Sequence, residues 1–285
     1  MSDSFHILGN IPTVRDAVPV RFAHHKGMDA PDNHVLHINN YVEIYVFVSG
    51  DHRYIVENTV YTLRRGDIVL INPREVHKAL PLSAGMYERF YLLVDSRAFD
   101  GMALNPLAAI LNTAHGNLIS PNGRAREEIL DMLYAISDCF RDGKDDPLRA
   151  YGFFMRLLEE IRRHMASGDP AVVAEAHVPA LLEQVLTYVA ENTASIRSVA
   201  EIAAALGMSP PYLSTYFSHH VGTPLKIYIQ AKKIALAKDL LDKGADVTTA
   251  CYDCGFNDCS YFIRVFKRYV GVTPLRYKQT LTKAE

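Results

Sequence analysis

The last third of the chain repeats itself. SVAEIAAALGMSPPYLSTYFSHHVGTPL (198–225) and VTTACYDCGFNDCSYFIRVFKRYVGVTPL (247–275) follow one plan: a short apolar helix ending at a glycine, a tight turn, then a second helix running to a phenylalanine and a Val-Gly step. Phe217 and Phe266 are 49 positions apart, as are Gly222 and Gly271, and Pro224 and Pro274 are 50 apart. This is an internal duplication, and it confines the region to two copies of one supersecondary unit.

Each copy has the local grammar of a helix-turn-helix. Ser198 is a natural cap for a helix whose apolar residues Val199, Ile202, Ala203 and Leu206 recur at helical spacing. Gly207 ends it in a left-handed conformation. Ser209 caps the next helix, with Pro210 at the first position, where a missing N–H costs nothing. Leu213 and Phe217 point back onto the first helix, and small Ala203 and Cys251 suit a close helix crossing. Between the copies, residues 225–241 read as one helix, with Leu225, Ile229, Leu236 and Leu240 on or near one stripe and Lys226, Lys232, Lys233 and Lys238 mostly off it. Two modules joined this way can set their second helices in adjacent major-groove turns, roughly 34 Å apart.

Residues 182–279 resemble the DNA-binding domain of the AraC/XylS family of transcription regulators. The resemblance is carried by LGMSPPYLSTYF, the VGTPL after it, Tyr228, Ile229, Leu240, Leu241, and CGFNDCSYFIRVFKRYVGVTPLRY. Lys233, Ala250 and Cys254 depart from the family's usual arginine, larger aliphatic and valine. The resemblance implies that double-stranded DNA is read by Pro211, Ser214, Thr215 and Ser218 of the first unit. In the second unit it implies Asn257, Cys259, Ser260, Ile263, Arg264 and Lys267. Arg264 can reach guanine or phosphate, whereas Lys267 and Arg268 suit phosphate. The first helix offers no arginine or asparagine for bidentate base contact, so it is expected to position more than to specify.

A chain of 285 residues suits two domains. With 49% hydrophobic and 22% charged residues it can bury sizeable cores. No run approaches the roughly 20 apolar residues that cross a bilayer, and MSDSFHILGN lacks a signal pattern, so a cytoplasmic location with no membrane partner is expected. The net charge of -2 divides unevenly: from Ala180 onward there are 12 Lys and Arg against 9 Asp and Glu, leaving 18 against 23 elsewhere. The basic excess falls on the repeated region.

Upstream, the segments EIYVFV, HRYIVEN, VYTLRRGD, IVLINP and ERFYLLV are rich in β-branched and aromatic residues and are separated by turn signals. They predict an antiparallel sandwich or barrel. This part is similar to the cupin-type sensing domain of such regulators, through His37, Glu43, Gly66, Pro73 and His77. The resemblance implies a metal set with histidines at positions 37 and 39; Asn39 breaks it. A metal-free pocket is therefore expected, with no cofactor. Glu43, Tyr45 and Phe47 share a strand face and offer a carboxylate, a hydroxyl and an aromatic wall to a small effector such as a sugar, joined by His37 and His77. Arg21, His24, His25 and His34 precede the strands as an arm able to close over it.

Two amphipathic stretches, about 123–140 and 147–164, follow the sheet; they complete its core or pair with a second subunit, and the resemblance favours a homodimer. The four cysteines include a C-x2-C-x4-C cluster (Cys251, Cys254, Cys259), but no fourth ligand follows at zinc spacing, and Cys251 and Cys254 sit where burial explains them.

The expected protein is α+β: a cupin-like antiparallel β-barrel with packed helices (1–165), a linker (166–180), and an all-α double helix-turn-helix domain (181–285). It is expected to be a non-enzymatic, effector-responsive transcription regulator that engages RNA polymerase if it activates. Alternatives are a ligand-independent or redox-responsive regulator acting through Cys259, and a cupin metalloenzyme fused to a DNA-binding module.

Overall fold

A computed structural model describes residues 6–12, 17–29, 36–39, 41–73, 75–95, 99, 110, 117–166 and 179–282. Nine strands are formed among them: β1 (His6–Pro12), β2 (Ala17–Asp29), β3 (Tyr41–Ser49), β4 (His52–Val56), β5 (Thr59–Thr62), β6 (Ile68–Ile71), β7 (His77–Pro81), β8 (Gly85–Asp95) and β9 (Leu118–Ile119). Two helices follow, α1 (Gly123–Asp138) and α2 (Pro147–Ala166). The C-terminal region holds α3 (Ala180–Asn192), α4 (Val199–Ala205), α5 (Pro210–Val221), α6 (Leu225–Asp242), α7 (Val247–Asp253), α8 (Cys259–Val270) and α9 (Pro274–Thr282).

The strands divide into an antiparallel six-stranded sheet, ordered β1-β2-β8-β3-β6-β9, and a three-stranded sheet, β5-β4-β7. The expected barrel is thus open. Its strands break into two sheets at the β3–β4 corner, where the β3/β8 register slips between Phe47 and Ser49 and Gly50 turns at φ 128°. A single bridge, His37 to His77, ties the segment before β3 to the edge of the small sheet.

Strand alternation sets up four layers. Val42, Ile44 and Val46 of β3 and Phe90, Leu92 and Val94 of β8 pack against Ile129, Leu133 and Ile136 of α1 and Phe154, Leu157 and Leu158 of α2. The opposite face of the large sheet, with Tyr45, Phe47, Val69 and Tyr87, meets Tyr54, Val56, Tyr61 and Ala79 of the small one. The outer face of the small sheet, Ile55, Val60, Val76 and Leu80, merges with the helical core of α3–α9. At about 25 cal/mol per Å² of apolar surface, these continuous cores dominate the stability of the chain.

The helix-turn-helix grammar is realised with the expected caps Ser198 and Ser209, and Asp246 and Asp258 take the same places in the second unit. Ser198, Ser209, Asp246 and Asp258 accept hydrogen bonds from the first-turn amides of α4, α5, α7 and α8. Gly255 turns at φ 87° beside the Ala194 carbonyl oxygen, which any β-carbon there would strike. Two of the lysines that stand mostly off the α6 stripe are nonetheless buried, Lys233 at 7% and Lys238 at 1% exposed. Lys233 Nζ donates to the carbonyls of Ile196 and Gly255, both at 2.7 Å, and so ties α6 to the entrance of α4 and to the second turn.

Candidate effector pocket and DNA-reading face

Between the two sheets lies a chain of buried polar contacts. Tyr45 and Tyr87 share a 2.5 Å hydroxyl hydrogen bond, and the Tyr45 ring packs 4.5 Å from that of Tyr54. Tyr54 donates to Glu43 Oε1 at 3.4 Å, and Asn39 donates to Glu43 Oε2 at 3.2 Å. His77 Nε2 lies 3.3 Å from Glu43 Oε2, an ion pair outside hydrogen-bond geometry. Its Nδ1 donates to the Glu75 carbonyl at 2.7 Å, which turns the other ring nitrogen towards the carboxylate. The His37 ring, exposed at the edge, stands 4.2 Å from that of His77.

Burial works against charge on both members of this pair, and their proximity outweighs it. Burial raises the Glu43 carboxyl, but contact with His77 brings it below its ordinary value. Burial lowers the His77 imidazole, but contact with Glu43 raises it. Burial pushes the Tyr45 and Tyr54 hydroxyls well up and Tyr87 to about 12, so all three stay neutral hydrogen-bonding groups.

Of the residues expected to meet an effector, Glu43, Tyr45, Phe47 and His77 converge between the sheets, with His37 at their rim. The supposed arm is instead β2, a central strand, which corrects its placement. Arg21 lies 5.0 Å over the Tyr41 ring, and His25 faces Tyr87. His24 points to the opposite face, where it contacts Ser137 of α1 at 3.0 Å and Glu88 at 2.9 Å. His34 lies outside the described residues. The sequence reading did not single out Tyr54 and Tyr87, although the alternation of HRYIV carries the first of them.

Donor atoms of His37, Glu43 and His77 all lie within 4.8 Å of one another, the one such group of three found among the described residues. They fit a divalent ion by donor type and proximity. Asn39, at the position where the resemblance puts a further histidine ligand, instead donates its amide to Glu43. The cysteines are outside this group: burial raises Cys254 to about 12, Cys251 is buried as well, and Cys259 is half-buried.

The DNA-reading candidates form two matching ridges. Pro211, Ser214, Thr215 and Ser218 on α5 stand at positions i, i+3, i+4 and i+7, and Ser260, Ile263, Arg264 and Lys267 on α8 repeat them at the same 49-residue offset. All four α8 residues are exposed, as are Pro211 and Thr215, whereas Ser214 and Ser218 are half-buried. Ser214 donates to its own helix at the Pro210 carbonyl, 2.8 Å away. Asn257 accepts from Arg197 at 3.0 Å, a partner that the sequence reading missed. Arg268 is exposed one position past the ridge.

Known proteins match across both regions. Residues 21–158 fit the AraC-like ligand binding domain, and residues 202–280 fit a helix-turn-helix domain. The HTH-type transcriptional regulator YbfI of Bacillus subtilis (strain 168) is 26% identical over 78% of this chain and 80% of its own length. The HTH-type transcriptional activator RhaR of Escherichia coli O139:H28 is 23% identical over 85% of this chain and 86% of its own. The crystal structure of the C-terminal domain of the response regulator yesN from Fusobacterium nucleatum shares 30% identity over 35% of this chain and 98% of that one, with a TM-score of 0.33. No helix among the described residues is long and apolar enough to cross a membrane. With a ligand-binding domain of antiparallel sheets joined to a helical DNA-binding domain, the chain belongs to the AraC family and is a sequence-specific, small-molecule-responsive transcription regulator.

Proposed function

We propose that a small hydroxyl-bearing effector, such as a sugar, binds between the sheets against Glu43, Tyr45, Phe47 and His77, with His37 at the entrance, and thereby alters how α5 and α8 meet DNA. One observation carries this: the small sheet bears Tyr54 and His77 on its inner face and the C-terminal domain on its outer face. Leu36 and Ile38, which flank His37, and Val76 and Lys78, which flank His77, all face that domain. An effector that binds the two arrangements unequally shifts their balance.

The finer assignments belong to the same proposal. Residues 1–165 sense and dimerise, 166–180 link, and 181–285 bind DNA, in the cytoplasm and without catalysis. Pro211, Ser214, Thr215, Ser218, Asn257, Cys259, Ser260, Ile263, Arg264, Lys267 and Arg268 meet the duplex. The homodimer forms along α1 and α2, where a groove of about 620 Å³ is lined by Met132, Phe153 and Met155 among charged residues. Activation would bring RNA polymerase as a further partner, in keeping with the similarity to an activator.

The test is retention of genomic DNA fragments by the purified protein at two salt concentrations, followed by thermal shift with sugars and related metabolites. A repeated motif that survives higher salt, together with a metabolite that raises the melting temperature of wild type but not of Glu43→Gln, is the expected result. Retention without a motif, or equal stabilisation of both proteins, overturns it.

A further inference from the structure

Away from the effector pocket, a cleft of about 570 Å³ opens between the two helix-turn-helix units. Its walls come from the entrance to α4, the first half of α6 and the start of α8. Arg197, Lys226 and Arg264 give it a cationic lining over a floor that includes Ile229 and Phe256. Its one carboxylate, Asp258, is engaged as the cap of α8, accepting from the Tyr261 amide at 3.0 Å. Arg264 belongs at once to this lining and to the exposed ridge of α8, so the cleft opens beside the surface that meets DNA.

A second, independent feature points to an occupant. Gln230 is 8% exposed and lines the cleft; one end of its amide pairs with the Tyr261 hydroxyl at 2.5 Å, while the oxygen has no hydrogen-bond partner. A buried polar atom left unpaired costs about 1–3 kcal/mol. The amide's two ends exchange by a half-turn. In the exchanged orientation Tyr261 O–H donates to the Gln230 oxygen, and the NH₂ is left as the unpaired buried donor in the wall of the cleft. A phosphate oxygen satisfies that donor and the surrounding cations together.

We propose that this cleft is a phosphate seat: Arg197, Lys226 and Gln230 hold a backbone phosphate of the duplex strand that passes between the two major-groove segments read by α5 and α8. The seat fixes the spacing of the two recognition helices along the duplex and carries no base preference of its own. The same chemistry fits a phosphoryl group on a free small molecule, and the experiment separates the two sources.

The test uses the full chain and the operator fragment recovered above, with the double variant Arg197→Gln/Lys226→Gln; both positions are exposed, and circular dichroism and melting temperature check the fold. In ethylation interference on wild type, a phosphate between the two groove segments should block binding when modified. In the variant that one interference disappears while the others persist, the motif is unchanged, and the slope of log affinity against log salt shrinks by about 0.9. A Gln230→Leu protein should weaken operator binding severalfold with its salt slope and melting temperature retained. An identical interference pattern in wild type and variant overturns the proposal. So does stabilisation of DNA-free wild type, but not of the variant, by inorganic phosphate or pyrophosphate alongside unchanged interference, which assigns the cleft to a free phosphorylated ligand. Failure of wild type to select any operator would instead remove the DNA-binding reading itself.

Discussion

Lys78 Nζ donates a 2.6 Å hydrogen bond to the carbonyl oxygen of Gly222, the residue that closes the first recognition helix in a left-handed conformation. The same ammonium reaches Val221 O at 3.3 Å and Thr223 Oγ1 at 3.0 Å. A cation at a helix C-terminus meets the negative end of its dipole, and here the cation comes from the strand position next to His77. Nearby, Glu57, held at φ 55°, accepts from Tyr228 O–H through its carbonyl and pairs with Lys232 through its carboxylate. Sensing sheet and DNA domain are therefore joined by oriented polar contacts as well as by apolar burial.

Lys78→Met keeps the length of the side chain but leaves these acceptors without their donor. The expected cost is about 1–3 kcal/mol, seen as a lower melting temperature. The ratio of operator affinities with and without effector should fall towards one, measured by fluorescence anisotropy. An unchanged ratio would mean that this contact carries no signal.

The repeat offset pairs Thr215 with Arg264, and the two should differ in consequence. Arg264→Ala is expected to weaken specific operator binding by about 1–3 kcal/mol, the range for a good base contact. Thr215→Ala should change it by less than about threefold, well under that range. Quantitative titration of both variants against operator and scrambled DNA checks the asymmetry.

Lys233→Met removes the buried donor shared by Ile196 and Gly255. Two carbonyls lose a charge-assisted partner, so destabilisation of about 2–4 kcal/mol is expected. Thermal and urea unfolding measure it, and a shift below about 0.5 kcal/mol, the size of an ordinary surface substitution, would show the contact to be dispensable.

The Glu43–His77 pair makes a pH prediction, to be tested in chelator. The His77 value is raised above 6.5 in the fold, so its contribution is complete below 6.5 and is lost as pH climbs through the folded value. The Glu43 value is depressed below 4.5, so its contribution is complete above 4.5 and is lost as pH falls through the folded value. The melting-temperature gap between wild type and His77→Gln should be widest between these limits and should narrow on either side.

Elemental analysis of the protein purified without added metal should give well under one equivalent of transition metal, because Asn39 already occupies a Glu43 oxygen. A full equivalent, lost in His77→Gln, would make the proposed effector site a metal centre.

Much of the helical half was legible because its signals are local. A serine cap, a Pro at the first position and a glycine after the last turn act within a few residues of where they stand, and the duplication repeats the caps, as Asp246 and Asp258, and the glycines. Strands β3 to β6 and β8 were likewise visible from alternation and turns, and with them the shared face of Glu43, Tyr45 and Phe47. β2 was not: its AVPVRFAHHKGMD reads as a polar arm, and only pairing with β8 makes it a central strand that sends His25 inward and His24 to the helices. β7, HKALP, has no β-branched residue, Phe, Tyr or Trp to declare it, yet it carries both His77 and Lys78. The sequence by itself thus determined the repeated units, their caps and the ridges they expose, since these follow from backbone preferences a few residues apart. Only the tertiary structure decided that the strands form two sheets, that Lys78, Lys233 and Lys238 are buried, and that the sensing sheet packs on the DNA domain, because those outcomes depend on partners 22 to 145 residues away whose identity no local pattern encodes.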